Sequence, residues 1–409
     1  MSQKTIQDLS YTGRHQECLQ ACQQVLQSES ESPLAWKYAG KSHLALGQFE
    51  KAQQCLAKAH QLDNKDPEII KDIGNIFLNV GNRNEAAKCY ENALEIDNYY
   101  APAINNLANI KRQNGNSQEA IDLFKRAIQA NPKLIQAYTG AASCSLQTGN
   151  LDQAKVFATQ ALAINKSTPG INEILGIISQ KEGNPEQAIE YYKKELKINS
   201  KNNTSLLNFG LLLLQKGKAT EAIVLLIKAA AINPSEQCSL LLAQAYQNIG
   251  QLKEAIIEYK KIDLNNSPDK MVPFNLGLCL LNTGNNIEAM EAFKNVLKLD
   301  ESFIPAWGNI GTALKYEGRY KEALSATKKA LELDHNNPIA LLNLGGIYQV
   351  LGQLGQAHAY TRKSLELKPD NPDALMNLGR IYQELGQLDQ ALASTLQSLD
   401  LKPDNPGAL

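Results

Sequence analysis

Apolar residues between Pro305 and Asn337 recur at helical spacing in two blocks separated by a glycine. Trp307, Ile310, Gly311 and Leu314 share one face of the first block. Gly318 interrupts the chain, and Tyr320, Ala323, Thr327 and Ala330 share one face of the second. The i, i+3, i+4, i+7 spacing predicts two helices, each with one apolar stripe and a polar remainder. Neither helix can bury its stripe alone, so the pattern predicts a hairpin that needs a neighbour.

The pattern returns every 34 residues, with a single 33-residue step. The breaker falls at Gly47, Gly81, Gly115, Gly149, Gly183, Gly217, Gly250, Gly284, Gly318, Gly352 and Gly386. Five residues after each breaker stands an alanine, from Ala52 to Ala391. Seven before each stands a glycine or alanine, from Gly40 through Ala108, Ala142 and Ala243 to Gly379. A glycine inside a helix costs about 1 kcal/mol relative to alanine. Its recurrence there predicts that the two helices of a hairpin approach closely at that point.

Taken in order, residues 1–32 read as a degenerate first repeat that caps the array. Gly13 matches the breaker, Cys18, Cys22, Val25 and Leu26 form a second-helix stripe, and the first helix around Lys4–Tyr11 is polar. Units 1–6 fill 33–235 and units 7–11 fill 236–405. Gly183-Asn184-Pro185 offers a stop, an N-cap and a proline at the first helical position. Asn131-Pro132 and Asn233-Pro234 close second helices. Between Ala229 and Phe274 the register slips: the unit ending near Ser235 is one residue short, and Ser267-Pro268 and Pro273 surround a helix start. A delayed start and a local change of pitch are expected there. Pro406-Gly407-Ala408-Leu409 matches Pro372-Asp373-Ala374-Leu375, so 406–409 reads as the start of a truncated further unit, with more repeats or another domain expected beyond it.

Composition narrows the class. The 41 basic and 42 acidic residues leave a net charge of −1, so no global field favours nucleic acid or an anionic membrane. No apolar run approaches the roughly 18 residues of a spanning helix. The segment MSQKTIQDLSYTG is polar and has no apolar h-region. Seven cysteines without a C-x2-C pair argue against a disulfide framework or a zinc site, and a reducing cytoplasm is the expected setting. Most cysteines fall at packing positions and read as small buried hydrophobes. No P-loop, G-x-S-x-G or H-E-x-x-H motif is present. No cofactor, metal or catalytic residue is expected.

The pattern W-x2-L-G-x2-Y…G…A-x3-F…A…P resembles the tetratricopeptide repeat, at the period of that family, over Pro33–Asn405. The resemblance implies an all-α, right-handed α-solenoid of antiparallel helix-turn-helix units whose first helices line a concave surface. It implies a protein-interaction scaffold rather than an enzyme. The late units also resemble repeat arrays of bacterial, especially cyanobacterial, proteins.

Two residues before the small position stand Asn106, Asn208, Asn275, Asn309, Asn343 and Asn377, the last four in successive units. This row resembles the asparagine ladder in the repeat arm of O-linked N-acetylglucosamine transferases, whose implied role is to clamp the backbone of an extended peptide. An amide side chain both donates and accepts, so it can pair with a peptide backbone without reading sequence. The row is broken by Tyr38, Asp72, Gly140, Ile174 and Leu241, and toward the middle the same face turns apolar at Leu207, Leu211, Leu240, Phe274 and Leu278. Lys71, Asn75 and Asn106 also match three of the five positions of the carboxylate clamp of chaperone-binding repeat domains. The other two are Gln136 and Gly140, which lack the required charge.

Three readings follow. The first is a scaffold holding an extended peptide or partner helix in its groove, with a protein or peptide as partner. The second is the substrate-recognition arm of a larger enzyme, such as a glycosyltransferase, truncated at its C-terminus. The third is self-association into a homo-oligomer through an uncovered C-terminal face.

Overall fold

The computed structural model describes residues 3–264 and 268–402. Ser267 and the expected further unit at 406–409 lie outside them. All the described secondary structure is helical, and the chain divides into two compact modules, Met1–Asn208 and Phe209–Leu409.

The first module contains α1 (Gln3–Tyr11), α2 (His15–Ser28), α3 (Pro33–Ala45), α4 (Phe49–Leu62), α5 (Pro67–Asn79), α6 (Arg83–Ile96), α7 (Ala101–Gln113), α8 (Ser117–Ala130), α9 (Ile135–Gln147), α10 (Leu151–Ile164), α11 (Ile171–Lys181) and α12 (Pro185–Ile198). The division falls within α13 (Asn203–Gln215). The second module continues with α14 (Ala219–Ile232), α15 (Glu236–Asn248), α16 (Leu252–Tyr259), α17 (Met271–Asn282), α18 (Asn286–Leu299), α19 (Ile304–Tyr316), α20 (Tyr320–Leu333), α21 (Pro338–Val350), α22 (Leu354–Leu367), α23 (Pro372–Glu384) and α24 (Leu388–Leu401). Odd-numbered helices are the first helices of hairpins, even-numbered ones the second. Within each module a first helix also touches the first helix of the next hairpin, as in α9–α11 and α19–α21. Each module is an all-α repeat solenoid carrying a face of first helices.

Each hairpin closes where the small residue of the first helix meets the residue sixteen positions later on the second. A Cβ built on Gly40 or Gly176 would stand 2.5 Å from the Leu56 side chain or the Tyr192 ring, and one on Gly277 would stand 2.5 Å from Phe293. Those partners are fully buried. The breaker glycines serve a different purpose. Gly318 has φ 72° and open space where a Cβ would go. Its N–H donates to the Lys315 carbonyl (3.1 Å) while Arg319 N–H donates to that of Leu314 (2.9 Å), a left-handed helix stop that glycine adopts without strain.

Three first helices, α5, α21 and α23, begin on an Asp-Pro or Asn-Pro pair. Asp66 Oδ1 accepts from Glu68 N–H (2.9 Å) and Asn337 Oδ1 from Ala340 N–H (3.0 Å), with Pro67 and Pro338 in the first turn. Asn184 precedes Pro185 as expected but makes no side-chain cap bond. The single short step lies in the 233–235 connection, where Ser235 Oγ caps α15 by accepting from Cys238 N–H. The later irregularity is chiefly in a second helix: α16 stops at Tyr259 after 8 residues, where its counterpart α18 has 14. α17 starts at Met271 with Pro273 in its first turn, where the missing N–H costs no helical bond.

In the first module an ionic cluster ties α3 to the start of α5. Lys37 pairs with Asp66 (2.7 Å) and Glu68, and Lys41 pairs with Glu68 (2.5 Å). Burial pushes the Glu68 carboxyl up, but the hydrogen bonds and charges of both lysines outweigh it and hold the group at about 2. That folded value lies below the roughly 4.3 of an unfolded glutamate. The contribution is therefore complete above about pH 5 and fades as pH falls toward 2.

Two outcomes follow from the packing and the cluster. Gly176→Ala gains roughly 1 kcal/mol of helix propensity but drives its methyl into the Tyr192 ring, where overpacking costs about 1–3 kcal/mol. The urea midpoint should fall, and a rise would show that the close approach is not required. Glu68→Gln should flatten the loss of urea stability between about pH 5 and pH 3 seen in the parent chain; an unchanged slope would contradict the ionic assignment.

Candidate ligand-binding face

The six ladder asparagines sit on first helices, half-buried. They divide into three sets by what lies against their amides. Asn106, Asn208 and Asn275 stand beside the hydroxyls of Tyr90, Tyr192 and Tyr259 on the preceding second helix and favour the ionised phenol. Those hydroxyls in turn donate to Asn75 Oδ1 (2.8 Å), Gln180 Oε1 (3.0 Å) and Gln247 Oε1 (2.9 Å). Each tyrosine thus bonds the first helix of its own hairpin and stands against that of the next. Burial pushes all three phenols up, Tyr90 to about 12, with the ladder amide only partly offsetting it.

Asn343 is held differently, donating to the Gly308 carbonyl (3.2 Å) and Thr312 Oγ1 (3.1 Å). Asn309 and Asn377 make no hydrogen bond among the described residues. At Gly140 the ladder is interrupted for a steric reason. α7 carries Ala108 at its small position, and the Phe124 ring lies against Gly140 so closely that any Cβ there would collide with it.

Lys71 and Asn75 are turned toward a carboxylate of the chain itself. Lys71 Nζ lies 2.5 Å from Asp72 Oδ1, and Asn75 Nδ2 donates to the same oxygen (3.1 Å) while its Oδ1 accepts from Tyr90 and from Asn106 (3.0 Å). Asp72 is 3% exposed. Of the mid-chain apolar residues, Leu207 is buried, whereas Leu211, Leu240 and Leu278 are half-buried. Phe274 packs edge-on to Phe303 at 5.1 Å and against Phe293 at 5.8 Å.

Clefts open on the first-helix face of both modules, among them the following two. The first, of ≈ 630 Å³, lies beside Gly140 and is lined by Asn109, Arg112, Gln136, Thr139 and Glu173. α11 borders it and starts only after Gly170, at φ 82°. Burial, aided by the Glu195 charge, pushes the Glu173 carboxyl up against the hydrogen bond from Asn202. Arg112 Nε is buried there without a hydrogen-bond partner. The second cleft, of ≈ 450 Å³, is mostly apolar and includes Phe274, Ile304, Pro305, Ile339 and Ala340, with Asn309 at its edge. The ladder pattern did not single out Arg112, Glu173 or Ile339. The available signal was their place on the exposed side of the same helices. On α24, Leu388, Leu392 and Leu396 form a stripe that is 68%, 61% and 52% exposed, whereas Ile121, Ile189 and Met290, which match Leu392 in register, are buried. Among the described residues no helix is long and apolar enough to cross a membrane, and no cluster of three or more His, Cys, Asp or Glu gathers as for a metal.

The class defined by this architecture is a helical-hairpin repeat solenoid. The chain belongs to the tetratricopeptide-repeat proteins: models of that repeat match residues 33–66, 274–303, 304–337 and 351–408. A model described as the cilia and flagella-associated protein 70 C-terminal domain matches 70–270. Similar solved structures include YrrB, described as a TPR protein with an unusual peptide-binding site (24% identity, 45% of this chain and 95% of that chain, TM-score 0.43). The APC/C hetero-tetramer Cut9-Hcn1 is similar at 15% identity over 98% and 93% of the two chains, TM-score 0.43. MamA is similar at 28% identity over 41% and 91%, TM-score 0.38. A comparison with curated proteins gave no match. Proteins of this repeat class are in general interaction scaffolds and typically not enzymes, and the general role of this chain is protein interaction.

The tyrosine links can be tested directly. Tyr192→Phe keeps a ring of the kind used at Phe124 and Phe293 but strands the Gln180 amide. It should lower stability by about 1 kcal/mol in urea unfolding, and an unchanged midpoint would remove the link.

Proposed function

We propose that the first-helix face of the second module binds an extended segment of a partner protein, with Asn309 holding the segment's backbone. The observation that carries this reading is the unengaged Asn309 amide at the edge of the apolar cleft beside Ile304 and Ile339. A half-buried amide with free donor and acceptor capacity suits a backbone N–H and C=O. The cleft beside it suits one apolar side chain of the same segment, which combines backbone affinity with a single specificity pocket. The asparagine ladder therefore contributes unevenly. Asn106, Asn208 and Asn275 stand against tyrosine hydroxyls, Asn343 braces α19, and Asn309 and Asn377 are available to a ligand.

The probe is a twelve-residue peptide selected on the full chain from a random library. Asn309→Ala should weaken it by about tenfold, the scale of a hydrogen-bonded pair left unmade. Ile339→Asp, at a residue 63% exposed, should weaken it at least as much while leaving the urea midpoint in place. Affinities unchanged in both variants would sink this reading.

A further inference from the structure

The half-buried lysines on or beside first helices of this chain are, as a rule, already neutralised. Lys37 and Lys41 hold Glu68, Lys71 holds Asp72, Lys111 holds Glu119 (2.8 Å) and Lys270 holds Asp300 (2.6 Å). Lys315 on α19 departs from that rule. It is half-buried, yet among the described residues it makes no ion pair and no hydrogen bond, and its ammonium lies only over the Tyr316 ring, 5.4 Å from the centroid. Its stem is covered while its charge has no counter-ion.

The surroundings of that ammonium have a definite form. Gly346 on α21 is buried and carries no side chain. A Cβ placed there would sit 3.5 Å from Lys315 Nζ and 3.6 Å from Asn377 Nδ2. Two nitrogen donors, from first helices two hairpins apart, therefore converge on one small opening above the helix between them. Arg380, one turn along α23 from Asn377, adds positive charge: burial and the Arg380 guanidinium together push Lys315 below the ordinary lysine range. A cation held in this way gains most from an anion that can approach both donors.

We propose that Lys315 and Asn377, across the opening left by Gly346, form a cradle for the carboxylate of an aspartate or glutamate side chain on the partner segment. This rests on the segment-binding reading above and adds to it a charge preference. The ligand class follows from the donor set. One ammonium and one amide N–H match the two oxygens of a carboxylate, and the neighbouring guanidinium disfavours any cationic side chain at that place.

The test uses the full chain and two fluorescein-labelled peptides, decaglutamate and (Gly-Ser)5, read by fluorescence anisotropy at low ionic strength. Decaglutamate should bind more tightly than (Gly-Ser)5. Lys315→Gln should weaken decaglutamate by about tenfold, the loss of one charge-assisted contact, without altering (Gly-Ser)5. Gly346→Ala is a second variant that keeps the fold, since its methyl would meet both donors at ordinary contact distance; it should weaken decaglutamate by occupying the opening. Equal binding of the two peptides, or decaglutamate affinity unchanged in both variants, overturns the cradle. Neither variant touches Asn309 or Ile339. Failure of the library-selected peptide to respond at those two positions, with decaglutamate still dependent on Lys315, would overturn the segment reading and leave the carboxylate site standing.

Discussion

The close approach of two helices within a hairpin is the contact on which the rest of the structure depends. It requires a residue with little or no side chain on the first helix and a buried partner sixteen positions on, from Gly40 with Leu56 to Gly345 with Thr361. The partner varies among tyrosine, phenylalanine, leucine, threonine and, after Ala142, alanine, yet the small side stays glycine or alanine. Because the contact fixes the geometry of each hairpin, it also fixes which side of the first helix remains for something else. That remaining side is where the asparagines, the two clefts and Lys315 lie.

The sixteen-residue relation ties the fold to the functional face. The second-helix residue that fills the small position is also the one that reaches the next hairpin's ladder position. Where it is tyrosine, its hydroxyl stands against Asn106, Asn208 or Asn275; where it is Phe124, the ring leaves room only for Gly140. The ladder is therefore partly written by packing. Asn309 follows Phe293, which has no hydroxyl to offer it.

Much of the fold was legible from the chain alone because period, breaker glycine and small position are local properties of sequence. Of the stripes expected for the hairpin at Pro305–Asn337, Ile310, Gly311, Leu314, Ala323, Thr327 and Ala330 are buried, while Trp307 and Tyr320 are half-buried. The early end of α16 was less legible. The prolines at 268 and 273 drew attention to the following first helix, whereas the second helix before them gives way. The site was legible in its row of asparagines but not in their state. What stands against an amide can be a tyrosine one hairpin away, and whether a lysine is neutralised depends on helices up to two hairpins away. Neither relation is visible in a column of aligned positions. Lys71 and Lys315 are both lysines of first helices, yet one faces Asp72 and the other faces an opening over Gly346.

The central claim, that ligands meet this chain on the first-helix face of the second module, is tested most directly by photo-crosslinking. A benzophenone amino acid placed at Ile339, beside the apolar cleft, is compared with one at Lys329 on the exposed side of α20, each irradiated with a library-selected peptide bound to the full chain. The account predicts a crosslinked product from position 339 and none from position 329. Crosslinking from 329 with none from 339 would contradict it.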